Sequence, residues 1–246
     1  DLISYYCDQL DAHHGFELRM SALGPGEDNL SVLRPYGVWA VVSPFNFPLA
    51  LAAGPAGAAL LAGNTVVFKP ASATPLLGLK LYEMAVEAGL PDGAFNFITG
   101  PGGTAGDELV RHRDVDGVVF TGSRQIGMSL IAANAGRPIP RPLVIEMGGK
   151  NPALVMASAD LDKASDGVVR SAFGAQGQKC SACSRVYVER GVRSRLIDRL
   201  VEKTRTIRVG NPLERDVFMG PVIDESAVRT YERAIAQARH DGGRVL

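Results

Sequence analysis

The feature that most constrains the fold is a strict alternation of short apolar runs with helix-like segments through the middle of the chain. Residues 38–42, 65–68, 95–98, 115–120 and 142–147 read as buried strands. Residues 49–62, 75–88, 104–110 and 123–135 read as helices between them, with Gly63-Asn64 and Gly89 as stops. Such alternation predicts an α/β fold, a Rossmann-like, mostly parallel sheet with helices on both faces. Ligands of such sheets bind beyond the carboxyl ends of the strands. The segments 43–48, 69–72, 121–127 and 146–150 each follow a predicted strand, so the pattern predicts one shared rim.

The flanks read differently. Leu2, Ile3, Tyr6 and Leu10 stand at helical spacing, and the turn-rich stretch 16–34, centred on Gly24-Pro25-Gly26, reads as a surface hairpin. Beyond Asn151 the expected elements are a helix over 160–175, a polar loop over 177–183, a strand over 185–189, an amphipathic helix over 192–207 and an irregular stretch over 211–224. The chain starts at Asp1 and closes on Gly242-Gly243-Arg244-Val245-Leu246, which resembles the start of a strand. Both ends read as cuts through a larger protein. The expected organisation is a helix and hairpin over 1–34, a partial dinucleotide-binding domain over 35–147 and a partial catalytic α/β domain over 148–246.

Composition narrows the function. Among 246 residues, 26 Lys and Arg balance 26 Asp and Glu, giving no reason to expect nucleic acid or an anionic membrane as partner. No apolar run reaches the roughly 18 residues of a transmembrane helix. The longest candidate, 48–62, contains Pro55 and many Gly and Ala. No signal peptide is visible, and three cysteines make no disulfide framework, so the cytoplasm is the expected compartment.

Six segments carry possible chemistry. Cys180 lies in the polar loop Gly177-Gln178-Lys179-Cys180-Ser181-Ala182-Cys183-Ser184-Arg185, where nearby cations favour a thiolate. A small buried thiol and a Cys180-x-x-Cys183 redox pair are the alternatives. A zinc site lacks further ligands, so no metal is expected. Glu146 ends an apolar strand and enters Gly148-Gly149, where it faces either a cleft or Lys150. Ser123, in Thr121-Gly122-Ser123-Arg124-Gln125-Ile126-Gly127, opens a helix whose free N–H groups suit a pyrophosphate, or it is simply an N-cap. Gly102, in Gly100-Pro101-Gly102-Gly103, lies in another strand-to-helix loop. Lys69 suits a ribose or phosphate, and the Asn46 amide suits an oxyanion.

Taken together, Ser43-Pro44-Phe45-Asn46-Phe47-Pro48, the run from Gly63 to Pro70, the run from Phe120 to Gly127, Glu146-Met147-Gly148-Gly149-Lys150-Asn151-Pro152 and Gly177-Gln178-Lys179-Cys180 resemble the aldehyde dehydrogenase superfamily over essentially the whole chain. That resemblance implies that Cys180 is the nucleophile and Cys183 is not. It implies Asn46 as an oxyanion donor and Glu146 as the base that activates water. Ser43, Pro44, Phe45, Lys69, Ser72, Gly102, Gly122, Ser123, Gly127, Glu146, Met147 and Gly148 then fall in the cofactor site, and Phe47 beside the substrate. It also implies a homo-oligomer built through the 16–34 hairpin. The family's later Glu-x-Phe-Gly-Pro segment is absent, which implies a piece of a longer enzyme.

The surroundings of Cys180 resemble the branch that oxidises glutamate γ-semialdehyde, the 1-pyrroline-5-carboxylate dehydrogenases. Lys179 and Ser181 would then bind the α-carboxylate of an anionic aldehyde. Ser72 stands where relatives strict for NAD often carry an acidic residue, so the expected cofactor is NAD, with NADP tolerated. A CoA-acylating enzyme and a non-catalytic dinucleotide-binding subunit are the competing expectations. Glu146 speaks against the first, and the intact Cys180, Glu146 and Asn46 against the second.

Overall fold

The computed structural model describes all residues, 1–246, and divides into two compact units, Asp1–Met147 and Gly148–Leu246. The first unit is built on a five-stranded, wholly parallel sheet: β3 (Val38–Val42), β4 (Thr65–Lys69), β5 (Phe95–Phe97), β6 (Gly117–Gly122) and β7 (Leu143–Met147). The spatial order is β5-β4-β3-β6-β7. The chain therefore builds outward from β3 in one direction and then crosses back to build in the other. The reversal between β3 and β6 leaves a crevice at their carboxyl ends, where α/β sheets take their ligands.

The apolar runs form strands because both faces of the sheet are covered. On one face Val41, Val66, Phe68 and Phe95 pack under α2 (Ala50–Leu61) and α3 (Pro75–Glu87). On the other, Ala40, Val118 and Phe120 pack against α4 (Asp107–Arg111) and α5 (Arg124–Ala135). Small residues set the spacing of these layers. A Cβ at Gly117 would lie 2.5–2.8 Å from atoms of the Trp39 indole on the neighbouring strand. Gly117→Val is therefore expected to cost about 1–3 kcal/mol by overpacking. Thermal unfolding would read this as a fall in Tm of roughly 2–10 °C.

Helix α1 (Leu2–Ala12) lies on α2, with Leu2 over Gly54 and Ile3 over Gly57. Strands β1 (Glu17–Met20) and β2 (Asn29–Val32) form the expected antiparallel hairpin, and Leu18, Met20 and Leu30 on it are exposed.

The second unit holds a parallel pair, β8 (Asn151–Val155) and β9 (Cys183–Val188), covered on one face by α6 (Leu161–Phe173) and α7 (Arg193–Arg205). Val155, Leu161, Val192 and Leu196 form its core. Ion pairs Arg199–Asp162 at 2.7 Å and Lys203–Asp166 at 2.6 Å tie α7 to α6. The chain ends with α8 (Glu225–His240), capped by Asp224, whose carboxylate accepts the N–H of Ala227 at 2.9 Å.

Four expectations need correction. Strand β8 and helix α8 were not anticipated. The helix expected over 104–110 begins instead as a wide turn over Gly102–Gly106. Residues 243–246 form no strand, because Gly242, in the left-handed region at φ 81°, turns the chain out of α8. The helix expected to reach residue 175 stops at Phe173, because Gly174 is extended at φ −56° and ψ 139° and Ala175 then turns left-handed at φ 51°.

Candidate active site

The carboxyl rim of the first unit collects the segments that follow β3, β4, β6 and β7. Ser43 leaves β3 with its N–H donating to the Lys69 carbonyl at 3.2 Å. Its hydroxyl is buried with no partner. Asn46 is half-buried on the same loop, flanked by Pro44 and Phe45, and Phe47 is exposed. Lys69, the last residue of β4, is 3% exposed. Its ammonium donates to the Pro70 carbonyl at 3.0 Å, and its methylenes run against Gly106, where a Cβ would come within 3.4 Å. Burial pushes the Lys69 pKa down, since desolvation penalises the charged form. The Ser72 hydroxyl donates to the Gly100 carbonyl at 3.2 Å, joining the loop after β4 to the glycine loop that holds Gly102.

Beyond β6, Gly122 ends the strand and Ser123 caps α5. The Ser123 oxygen accepts the N–H of Ile126 at 3.3 Å, which leaves its O–H able to donate to a ligand. Gly127 is a packing residue: a Cβ there would meet the Met147 sulfur at 2.6 Å and Ile145 at 3.0 Å. Glu146 closes β7 on its exposed side, opposite Thr121 of β6.

In the second unit the nucleophile candidate sits on an unusual backbone. Ala175, Gln176 and Gly177 take φ values of 51°, 57° and 69° in succession. For a non-glycine residue the left-handed region costs roughly 1–2 kcal/mol, and strain of this kind gathers at functional sites. The turn delivers Lys179, Cys180 and Ser181 to the surface, all three exposed.

Side chains from elsewhere in the unit hold this turn. Asn151 Nδ2 donates to the Cys180 carbonyl at 2.7 Å. Gly149 fits closely beside that bond, since a Cβ would stand 3.2 Å from the Cys180 oxygen and 2.9 Å from Asn151 Oδ1. Gly148 meets no such neighbour. The Gln178 side-chain oxygen accepts the Ile223 N–H at 3.2 Å. With its amide oriented to satisfy both ends, Gln176 accepts the Gly220 N–H at 2.7 Å. Ser181 and Asn151 line a cavity of about 290 Å³ between β8, β9 and α6.

The Arg185 guanidinium donates to the Lys150 carbonyl at 2.7 Å and to the Tyr187 hydroxyl at 3.4 Å. The supporting roles of Asn151, Gln176 and Gln178 were not anticipated. The signal for Asn151 and Gln178 was present only as polar residues inside the two glycine-bearing motifs, and Gln176 lies just before the second of them.

A parallel sheet with a reversed strand order and polar groups along its carboxyl rim define a doubly wound class of α/β protein. The chain belongs to the aldehyde dehydrogenase family, which it matches over residues 1–246. It is 43% identical to 1-pyrroline-5-carboxylate dehydrogenase of Anoxybacillus flavithermus, over 98% of this chain and 47% of that protein. The chain thus spans about half the length of the curated relatives it matches. Among solved structures it resembles proline utilization A of Bradyrhizobium japonicum, with TM-score 0.92 and 38% identity over 96% of this chain and 24% of that one. It also resembles an NAD-dependent aldehyde dehydrogenase from Sinorhizobium meliloti, with TM-score 0.91 and 35% identity over 98% of this chain and 47% of that one.

Proposed function

We propose that the chain serves the nicotinamide-dependent oxidation of an aldehyde to a carboxylic acid, with L-glutamate γ-semialdehyde as substrate. The observation that carries this reading is the exposed Cys180, whose own carbonyl is anchored by Asn151. A merely structural thiol needs no such bracing. The names of the relatives, with their 1-pyrroline-5-carboxylate and proline substrates, support the choice of aldehyde.

The first unit fits a dinucleotide. The unpartnered Ser43 hydroxyl and the buried Lys69 amine stand at the ends of adjacent strands and lack adequate protein partners. Buried polar groups of that kind suit a polar ligand. Ser43, Pro44, Phe45, Lys69, Ser72 and Gly102 would hold its adenosine half. Gly122, Ser123 and Gly127 would serve the pyrophosphate end. Glu146, Met147 and Gly148 would flank the nicotinamide, which supplies the hydride acceptor when bound.

The chemistry falls to four groups. The Cys180 thiolate attacks the aldehyde carbon, and the resulting oxyanion takes hydrogen bonds from the Asn46 amide and the Cys180 N–H. After hydride loss Cys180 carries the acyl group as a thioester. Glu146 takes a proton from water, the water oxygen bonds to the acyl carbon, and the Cys180 thiolate departs. Phe47, Lys179 and Ser181 would bind the substrate, the last two through its α-carboxylate. The exposed Leu18, Met20 and Leu30 of the hairpin support assembly of copies of the chain through residues 16–34.

The test is NADH formation by the natural full-length protein, with the semialdehyde compared against a plain aliphatic aldehyde. Lys179→Met is expected to raise the KM for the semialdehyde roughly tenfold and to leave the plain aldehyde unaffected, because only the former loses an ion pair. An equal effect on both aldehydes would remove the carboxylate-binding role. Ser72→Asp is expected to lower the use of NADP by roughly tenfold or more through like-charge repulsion. Use of NAD should be little changed in the same assay.

A further inference from the structure

The entry to β8 is weakly fixed by its own backbone. Gly148 and Gly149 precede it, and glycine leaves the chain the widest choice of direction. Pro152 has no N–H to give to the ladder with β9. The register slips at that point: Asn151 stands opposite Cys183 and Pro152 opposite Arg185, which leaves Ser184 as the extra residue. Yet this entry carries Asn151, whose amide holds the Cys180 carbonyl at 2.7 Å. Whatever fixes residues 149–151 therefore acts on the turn that bears Cys180.

Arg185 is placed to do so. Its Nη2 donates to the Lys150 carbonyl at 2.7 Å, across the slipped step of the ladder. Its Nη1 lies 3.4 Å from the Tyr187 hydroxyl, and the guanidinium carbon lies 6.0 Å from the centre of the Tyr187 ring. Residues 185 and 187 share one face of β9, so the ring steadies the guanidinium on the side from which it reaches β8. A charged donor makes one of the stronger hydrogen bonds to a carbonyl. The planar fork also reaches two acceptors in fixed directions, which the single ammonium of a lysine does not.

We propose that Arg185 is a positioning residue for Cys180: by holding the Lys150 carbonyl, it fixes the strand entry from which Asn151 anchors the nucleophile turn. The proposal rests on the reading of Cys180 as the nucleophile. Arg185 acts through the backbone of Lys150 and Asn151, and touches neither the thiol nor the substrate.

The experiment uses the natural full-length protein, with Arg185→Met and Arg185→Lys made alone and together with Asn151→Ala. Turnover and Tm are measured on each, with the pH profile of Cys180 alkylation by iodoacetamide, followed by peptide mass spectrometry. Arg185→Met is expected to lower kcat roughly tenfold with KM for the dinucleotide constant, since a small displacement of a reacting group is costly. Arg185→Lys, which keeps the charge and loses the fork, should lower it roughly threefold. In the Asn151→Ala background each change should cost less than about twofold, because the path it acts through is already cut. The midpoint of the alkylation profile should stay where it is in the wild type. If Arg185→Met lowers Tm, the same comparison is made on Arg185→Lys. Losses that recur in full in Asn151→Ala overturn the proposal, and so does an unchanged kcat. A midpoint raised in Arg185→Met and restored in Arg185→Lys also overturns it, by assigning Arg185 to the charge balance of the thiol. Turnover retained by Cys180→Ala would overturn the nucleophile itself, whereas the other results overturn the role of Arg185 alone.

Discussion

Cys180→Ala in the natural full-length protein is expected to lower NADH formation ~10⁴-fold or more, the scale of loss when a covalent nucleophile is removed. No neighbouring group can replace it on the proposed path. Cys183 begins β9, with its sulfur directed to the Arg185 carbonyl at 3.4 Å and its N–H to Ser171 at 3.1 Å, so it belongs to the strand. Cys183→Ala should therefore retain most of the activity. The paired measurement is initial-rate spectrophotometry on both variants, with dinucleotide binding followed separately by fluorescence. Cys180→Ala should bind the dinucleotide like the wild type, because the Ser43 and Lys69 rim belongs to the other compact unit. Substantial turnover by Cys180→Ala would sink the assignment of the nucleophile.

Asn151→Ala has the second largest expected effect, a fall in kcat of about 10–100-fold. Asn151 touches neither the thiol nor, on the proposed path, the reacting atoms; it is a positioning residue. Its amide fixes the carbonyl of Cys180 itself at 2.7 Å, and with it the direction in which the side chain leaves the turn. A displacement of about 1 Å at a reacting atom can cost 10²-fold. The turn carries left-handed strain at Ala175 and Gln176, so a released turn has a lower-energy shape to relax into. A structural role alone would lower Tm and leave kcat per folded molecule unchanged. The positioning role lowers kcat with KM for the dinucleotide constant, and Asn151→Gln, which keeps an amide donor, should recover part of the rate. If kcat is unchanged in Asn151→Ala, the tether is irrelevant to the chemistry.

Much of the first unit was legible in the sequence because the central strands of its sheet, β3, β4 and β6, are covered on both faces. A strand in that setting must be apolar along its whole length, as Val38–Val42 and Gly117–Gly122 are, and such runs stand out against polar turns. The motif segments at the carboxyl ends were placed by the same logic. Strand β8 escaped because it opens on Asn151-Pro152, where the ladder with β9 is irregular, and proline is a poor strand signal. Helix α8 escaped because none of its residues is buried and its apolar face is thin, although Asp224 followed by Glu225 was a readable start signal. The Asn151 tether joins residues 29 positions apart and exists only once β8 and β9 pair. Periodicity carries no information about such a contact.

The burial of Lys69 has a consequence for proton balance. Desolvation penalises the charged form, so the Lys69 ammonium is held less favourably in the free protein than in water. A dinucleotide that brings ribose and phosphate oxygens to the amine favours the charged form and raises its pKa on binding. By linkage the complex then binds more protons than the free protein at pH values between the two pKa values, and affinity falls as pH rises through that window. Calorimetric titration in buffers of different ionisation enthalpy would read the uptake as a buffer-dependent heat, and that heat should disappear in Lys69→Met. The lysine would thus make cofactor occupancy a function of alkalinity.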